Sequence, residues 1–222
     1  MLVSRILTSA ALAAGLFVSA TTAHAISYDA TTAINPTVAP DGASFSVTPG
    51  RSLGTKSQAG FKTLGVTGGA SGNEIDIGEW LKITFTSGPQ IIESLTLGLL
   101  FDGPEYSDPN EKAIILVNGT EYYSLQAVGS TTAKWNGAVN PGVVQNLSPA
   151  TGSTDAAVWK LINPFGNTAV TSIKLFPSEW VPQSDFGLVG FSTHAVPDSA
   201  GTLSLLGLAL LTLVVVRRRF FS

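Results

Sequence analysis

Apolar and polar side chains alternate in short runs through the middle of the chain. In Trp80-Leu81-Lys82-Ile83-Thr84-Phe85-Thr86, the residues Leu81, Ile83 and Phe85 share one face, while Trp80, Lys82, Thr84 and Thr86 share the other. This is the period-two pattern of a strand with one side on a core. Ala43 to Thr48 alternates apolar and hydroxyl residues, and Ile92 to Leu100 follows the turn cluster Ser87-Gly88-Pro89. Ala113 to Val117 and Glu121 to Leu125 flank Asn118-Gly119-Thr120. The Asn-Gly pair accepts the positive φ values of a tight turn, so these two runs are predicted to form an antiparallel hairpin. Ala156 to Ile162, Val170 to Phe176 and Phe186 to Phe191 complete the predicted strands, and no run shows a helical stripe of useful length. The predicted class is all-β: an antiparallel β-sandwich, jelly-roll-like. Ala127 to Ala157, rich in Gly, Asn, Pro, Ser and Thr, is expected to hold long loops, with Val143 and Val144 opening a strand.

Both ends depart from this pattern. Arg5 followed by the apolar run Ile6 to Ala20 and the small-x-small site Ala23-His24-Ala25 reads as a secretory signal peptide over 1–25. The folded domain is then expected over 26–195, with a separate tail over 196–222. That tail has a polar opening, an apolar run from Leu203 to Val216, and Arg217-Arg218-Arg219. As a helix, the run reaches ~21 Å, short of a ~30 Å hydrocarbon core. The three arginines are expected to stay on the cytoplasmic side and stop transfer. Composition alone fits either a temporary sorting helix or a permanent single-pass anchor.

Charge and residue counts narrow the chemistry. Between 26 and 195 there are eight Lys and Arg against fourteen Asp and Glu, a net charge of −6. Such a domain repels polyanions, so no nucleic-acid partner is expected. The chain has no Cys, which rules out disulfides, thiol nucleophiles and iron–sulfur or zinc–thiolate centres. His24 falls in the leader and His194 is expected in a tether before the tail. Neither a Ser-His-Asp system nor a multi-His zinc site is therefore available.

Carboxylates and aromatics remain. Asp102, Glu105, Asp108 and Glu111 recur at spacing three in a loop with Gly103, Pro104, Pro109 and Asn110. Hard oxygen ligands of this kind suit calcium, although the spacing is not that of an EF-hand, and the alternative is a solvated acidic loop. Glu74, Asp76 and Glu79 form a second acidic group before the Trp80 strand. Paired carboxylates also raise the possibility of a polysaccharide-active enzyme. Exposed rings stack on the apolar faces of sugars. Trp80 and Trp159 sit within predicted strands, whereas Trp135 and Trp180 sit in loop-like surroundings and are the expected carbohydrate contacts. Asn118-Gly119-Thr120 and Asn146-Leu147-Ser148 fit the glycosylation pattern and are read as turns.

The tail carries the most specific signal. Val196-Pro197-Asp198-Ser199, with Ala200 before Gly201, followed by the apolar run and the arginines, resembles the PEP-CTERM class of sorting signals in its VPDSG-CTERM variant. The resemblance covers the 27 residues 196–222. It implies a Gram-negative bacterium that makes exopolysaccharide, recognition of the tail by an exosortase, passage through the inner membrane, and delivery to the cell surface or biofilm matrix. The glycine-rich stretch from Gly65 to Gly69, then Gly72 to Glu79 and Leu99 to Tyr106, resembles β-rich ectodomains found with such tails. The combined expectation is an exported, non-enzymatic structural or adhesive protein associated with exopolysaccharide, the alternative being a carbohydrate-binding module or a polysaccharide-active enzyme.

Overall fold

The computed structural model of the protein describes residues 24–103, 109–137, 143–151 and 154–196. The leader up to residue 23 lies outside them. So does the tail from Pro197 onward, with Asp198, Ser199, its apolar run and Arg217, Arg218 and Arg219.

Thirteen strands and no α-helix are found among the described residues. They are β1 (Ser27–Asp29), β2 (Ala43–Val47), β3 (Leu53–Gln58), β4 (Phe61–Val66), β5 (Leu81–Phe85), β6 (Gln90–Gly98), β7 (Lys112–Val117), β8 (Glu121–Gly129), β9 (Thr132–Asn136), β10 (Val143–Ser148), β11 (Val158–Ile162), β12 (Ser172–Pro177) and β13 (Gly187–Ala195). They form two antiparallel sheets. One runs β10-β11-β6-β13-β4-β3, with β1 also on β13; the other runs β2-β5-β12-β7-β8-β9. β13 shares one side between two partners: Leu188 faces Leu64 of β4, and Gly190 to Ser192 face Asp29 to Ser27 of β1.

The alternation seen in the sequence decides which side of each strand turns inward. In β5 Leu81, Ile83 and Phe85 are buried; in β12 it is Ile173, Leu175 and Pro177; in β7 it is Ala113, Ile115 and Val117. These residues join Leu95, Leu97, Leu188 and Phe191 of the other sheet in one continuous core, so the sheets pack face to face as a sandwich. Trp159 is fully buried in this core and donates from Nε1 to the Leu100 carbonyl at 2.8 Å. Each fully buried side chain of Leu or Ile size contributes about 1.5–3 kcal/mol, which allows a chain without disulfides to stay folded.

The expected hairpin is present. Val117 pairs with Glu121 across a turn in which Asn118 and Gly119 have φ of 53° and 77°. Asn118 also links this turn to the start of β12, accepting from the Thr171 amide at 2.8 Å and donating to the Ala169 carbonyl at 3.0 Å.

Several expectations are corrected. Within the stretch expected to hold long loops, the strand expected to open at Val143 and Val144 is present as β10, but the end of β8 and all of β9 fall there as well. Gly129 and Thr132 pair across a tight reversal rather than an extended loop, just after a register shift between Ala127 and Gly129. Asn146 lies within β10 and is not a turn residue. His194 is in β13, not in a tether, with Nδ1 3.1 Å from Glu93 Oε1 of the neighbouring strand. β1, β3 and β4 were not foreseen. β3 and β4 read as Gly- and Lys-rich sequence, and their pairing is made by backbone bonds from Leu53–Val66 to Gln58–Phe61.

Candidate functional site

Strand register places the outward residues of the β2–β9 sheet in rows. One row runs Ser46, Lys82, Lys174, Leu116 and Tyr122 across β2, β5, β12, β7 and β8. The next carries Phe176, Ile114, Ser124 and Asn136. Trp80 extends that row beside Thr48, exchanging backbone and side-chain hydrogen bonds with it at 3.2 and 2.8 Å. A third row holds Lys112, Gln126 and Lys134. Rows are roughly 7 Å apart along a strand and about 5 Å from strand to strand, so these side chains touch or nearly touch their neighbours.

The result is an aromatic and aliphatic middle flanked by ammonium groups. Lys174 Nζ lies 4.7 Å from the Trp80 ring centre and 5.6 Å from that of Phe176, a geometry that attracts a cation to the ring face. Trp180, in the loop after β12, is 94 % exposed, and Tyr122 is 68 % exposed. Together with Ile114, Phe176, Pro177 and Glu179 they line an open groove of about 310 Å³. A second groove, over Trp80, Lys174 and Phe176, shares Pro177 and Glu179 with it. A third and larger groove, about 590 Å³, shares Gly78 and Glu79 with the second. The three form a continuous furrow from the Gly68–Ser71 turn to Trp180.

The large groove is polar and tied together by its own groups. Arg51 donates from Nη1 to the Gly68 carbonyl at 2.6 Å, and its Nε lies 3.4 Å from Glu79 Oε1. Glu79 is buried and its other oxygen accepts from the Asp76 amide at 3.2 Å. Burial raises the Glu79 carboxyl above the ordinary range and the Asp76 charge adds to this, while the Asp76 amide and Arg51 oppose it. Asp76 in turn accepts from both the amide and the hydroxyl of Ser71. Of the second acidic group, Asp76 and Glu79 therefore meet in one groove. Glu74 is drawn away to Lys56, whose Nζ is 2.7 Å from Glu74 Oε2. Burial also raises the Glu74 carboxyl, against the hydrogen bond and charge of Lys56.

The expected calcium loop is placed only in part. Glu111 is buried, and its carboxylate accepts from the Phe101 amide while its own amide donates to the Phe101 carbonyl at 3.1 Å. It thus clasps the two ends of the loop. Asp102 is buried next to Phe101, and Gly103 donates to Asn110 Oδ1 at 3.2 Å. Glu105 and Asp108 lie outside the described residues. Among the described residues, no group of three or more His, Cys, Asp or Glu side chains is arranged to hold a metal ion.

The two expected carbohydrate contacts separate. Trp180 is exposed, as a stacking platform requires. Trp135 is corrected: it belongs to β9, is 8 % exposed, and packs with ring centres 5.7 Å from Tyr123 and 6.1 Å from Phe165. Its inward position follows from register, because it faces the buried Leu125 of β8. Neighbouring Asn136 and Gly137 suggested a loop, yet β9 is an edge strand that ends there. Sequence reasoning did not select the lysine–aromatic face. Its signal was present in the outward positions of β5, β12 and β7, but assigning them to one surface requires the order β5-β12-β7, which joins segments far apart in the chain. Of the sorting motif only Val196 is described; its amide donates to the Pro89 carbonyl at 3.4 Å, while Pro197, Asp198 and Ser199 lie outside the described residues.

Comparison with protein-family models, with curated proteins and with solved structures returns no match, so the assignment of this chain rests on its own residues.

Proposed function

We propose that the protein is an exported, non-enzymatic surface or matrix protein, delivered through an exosortase-processed tail and adhering to polysaccharide through the outer face of its β2–β9 sheet. The delivery half rests on one observation: Val196-Pro197-Asp198-Ser199 stands directly before an apolar run and three arginines, in the order of a PEP-CTERM signal. In this reading the helix is held briefly in the inner membrane, and the domain then passes to the cell surface or matrix of a Gram-negative host. The signal peptide over 1–25 supplies the export step.

The adhesive half is supported by the furrow ending at Trp180 and Tyr122, where rings are open to stack on sugar faces. A jelly-roll reading of the sandwich agrees with this. The interleaved orders β4-β13-β6-β11 and β5-β12-β7-β8 support a jelly roll, in which two Greek keys would fold together. Such sheets offer broad faces to extended ligands. The enzyme alternative would draw on Asp102 and Glu105, the latter outside the described residues, or on Asp76 and Glu79. The last two are occupied, one by Ser71 and the other by Arg51 and the Asp76 amide, which favours a structural use. A calcium role for Asp102, Glu105, Asp108 and Glu111 remains part of the proposal only as an accessory that would stiffen the loop.

Mass analysis of the native C-terminus in host cells with and without the sorting protease tests delivery. The expected result is loss of Arg217 to Ser222 only when the protease is present. An intact Ser222 in both would leave a permanently anchored domain instead.

A further inference from the structure

We infer that the polysaccharide held by the β2–β9 sheet is an anionic one, gripped by a set of lysines that the fold concentrates on this face. The inference rests on the adhesive reading above and adds to it the charge class of the ligand.

The case is one of charge segregation. Residues 24–196 contain eight Lys and Arg, and four of them, Lys82, Lys112, Lys134 and Lys174, occupy outward positions of this one sheet; the other four are Arg51, Lys56, Lys62 and Lys160. None of the outward strand positions in β2, β5, β12, β7, β8 or β9 is Asp or Glu. Glu121 belongs to β8 but lies on the inward side, where it accepts from the Tyr123 hydroxyl at 2.5 Å. Among the described residues, the acids lining the grooves along this face are Glu179, Glu79, which is paired with Arg51, and, at the far end, Asp76 and Asp185. Fourteen acids against eight bases would leave a random face of this domain negative. A face with four ammonium groups and no outward carboxylate is therefore a feature of the register, not of the composition.

Position matters as well as number. Lys82 and Lys174 stand side by side at one end of the patch, and Lys112 and Lys134 stand two rows further along the strands. Leu116, Tyr122, Ile114, Phe176 and Trp80 lie between them. A chain crossing the sheet diagonally meets cations, then rings and aliphatic groups, then cations again. This suits a polymer whose repeating units have both an apolar CH face for stacking and a carboxylate for an ammonium. Nucleic acid fits less well. It carries about one charge per 1.7 Å of duplex, and the rest of the domain, with ten more acids than bases, would repel it. A charged lipid surface is the other polyanion to separate by experiment.

The test is binding of the purified full-length protein in a non-ionic detergent to alginate, to the neutral glucan dextran and to mixed micelles of that detergent with phosphatidylglycerol. Expected is binding to alginate that weakens steeply between low and high salt. It should fall about tenfold in Lys82→Gln/Lys174→Gln and recover in Lys82→Arg/Lys174→Arg, whose far-UV circular dichroism also checks the fold. Equal binding to dextran and alginate, insensitive to the glutamines but abolished by Trp180→Ala, overturns the anionic inference and leaves the adhesive reading standing. Binding to neither polymer overturns both. Binding to phosphatidylglycerol micelles that Lys82→Gln/Lys174→Gln weakens, without binding to alginate, replaces the polysaccharide with a membrane surface.

Discussion

Lys174 of β12 lies over Trp80, the residue just before the neighbouring β5, with the ammonium 4.7 Å from the indole centre. The contact joins the start of β5 to β12 on the candidate face. A double-mutant cycle with Lys174→Met and Trp80→Leu should give a coupling energy of about 0.5–1 kcal/mol in urea unfolding. A coupling indistinguishable from zero would mean that the ring is held by its other neighbours.

The two tryptophans expected to act alike should behave oppositely. Trp135→Ala removes a buried ring stacked on Tyr123 and should cost about 3–5 kcal/mol, lowering the unfolding midpoint sharply. Trp180→Ala should change stability by less than about 0.5 kcal/mol, because its ring is almost wholly in solvent. Loss of polysaccharide binding in Trp180→Ala without loss of stability is the corresponding functional outcome.

Glu74 gives the stability a pH dependence of known sign. Its carboxyl, like that of Glu79, holds a proton more tightly in the folded chain than in the unfolded one. The stabilisation from these groups is thus fully present below the unfolded value of about 4.3 and declines as pH rises through the raised range. Lys56→Met removes the partner 2.7 Å away and leaves the buried carboxylate uncompensated. The variant should be weaker by about 1–3 kcal/mol at pH 7, with the deficit shrinking toward pH 4. A deficit that is the same at both pH values would trace the loss to the lysine stem instead.

Asn118 combines a backbone role with a side-chain role, and two substitutions separate them. Its φ is 53°, and its amide group bonds Thr171 and Ala169. Asn118→Gly keeps the turn conformation and loses only the bonds, for about 1 kcal/mol. Asn118→Ala should lose about 1 kcal/mol more, since Ala disfavours positive φ. Thermal unfolding of both variants measures the difference.

Gly65 is a packing position. A Cβ there would lie 2.3 Å from the Asn73 carbonyl oxygen and 2.8 Å from the Glu74 Cα. Both are backbone atoms, so Gly65→Ala must push the 73–74 segment off β4. The expected cost is about 1–3 kcal/mol, with weakened protection of the Val66 amide, which donates to the Glu74 carbonyl, in hydrogen exchange.

Period-two alternation identified β5, β7, β12 and much of β6, β11 and β13, because each buries one face and exposes the other or is buried throughout. It also placed the Asn118-Gly119 hairpin. It placed the opening of β10 at Val143, but it did not reveal β1, β3, β4 or β9, whose own composition does not alternate clearly and whose partners hold them extended. The candidate face was half legible. Trp180 could be singled out from its neighbours in the chain, whereas Lys82 and Lys174 become adjacent only when β5 pairs with β12. Trp135 was misplaced for the converse reason: its local sequence reads as a turn, and only pairing with Leu125 turns it inward.

The arrangement of ends and faces has a mechanical consequence. Ile26 and Thr193 are joined by backbone and hydroxyl bonds of 2.9 and 3.0 Å, so the domain is entered and left at one spot on the β13 sheet, while the lysines and rings belong to the opposite layer. Any tension between a tether beyond Val196 and a polymer gripped by Lys174 must cross the apolar interior from layer to layer. Resistance would then come from the Leu, Ile and Phe contacts between the layers, with β13 held to its own sheet by the long β13–β6 ladder.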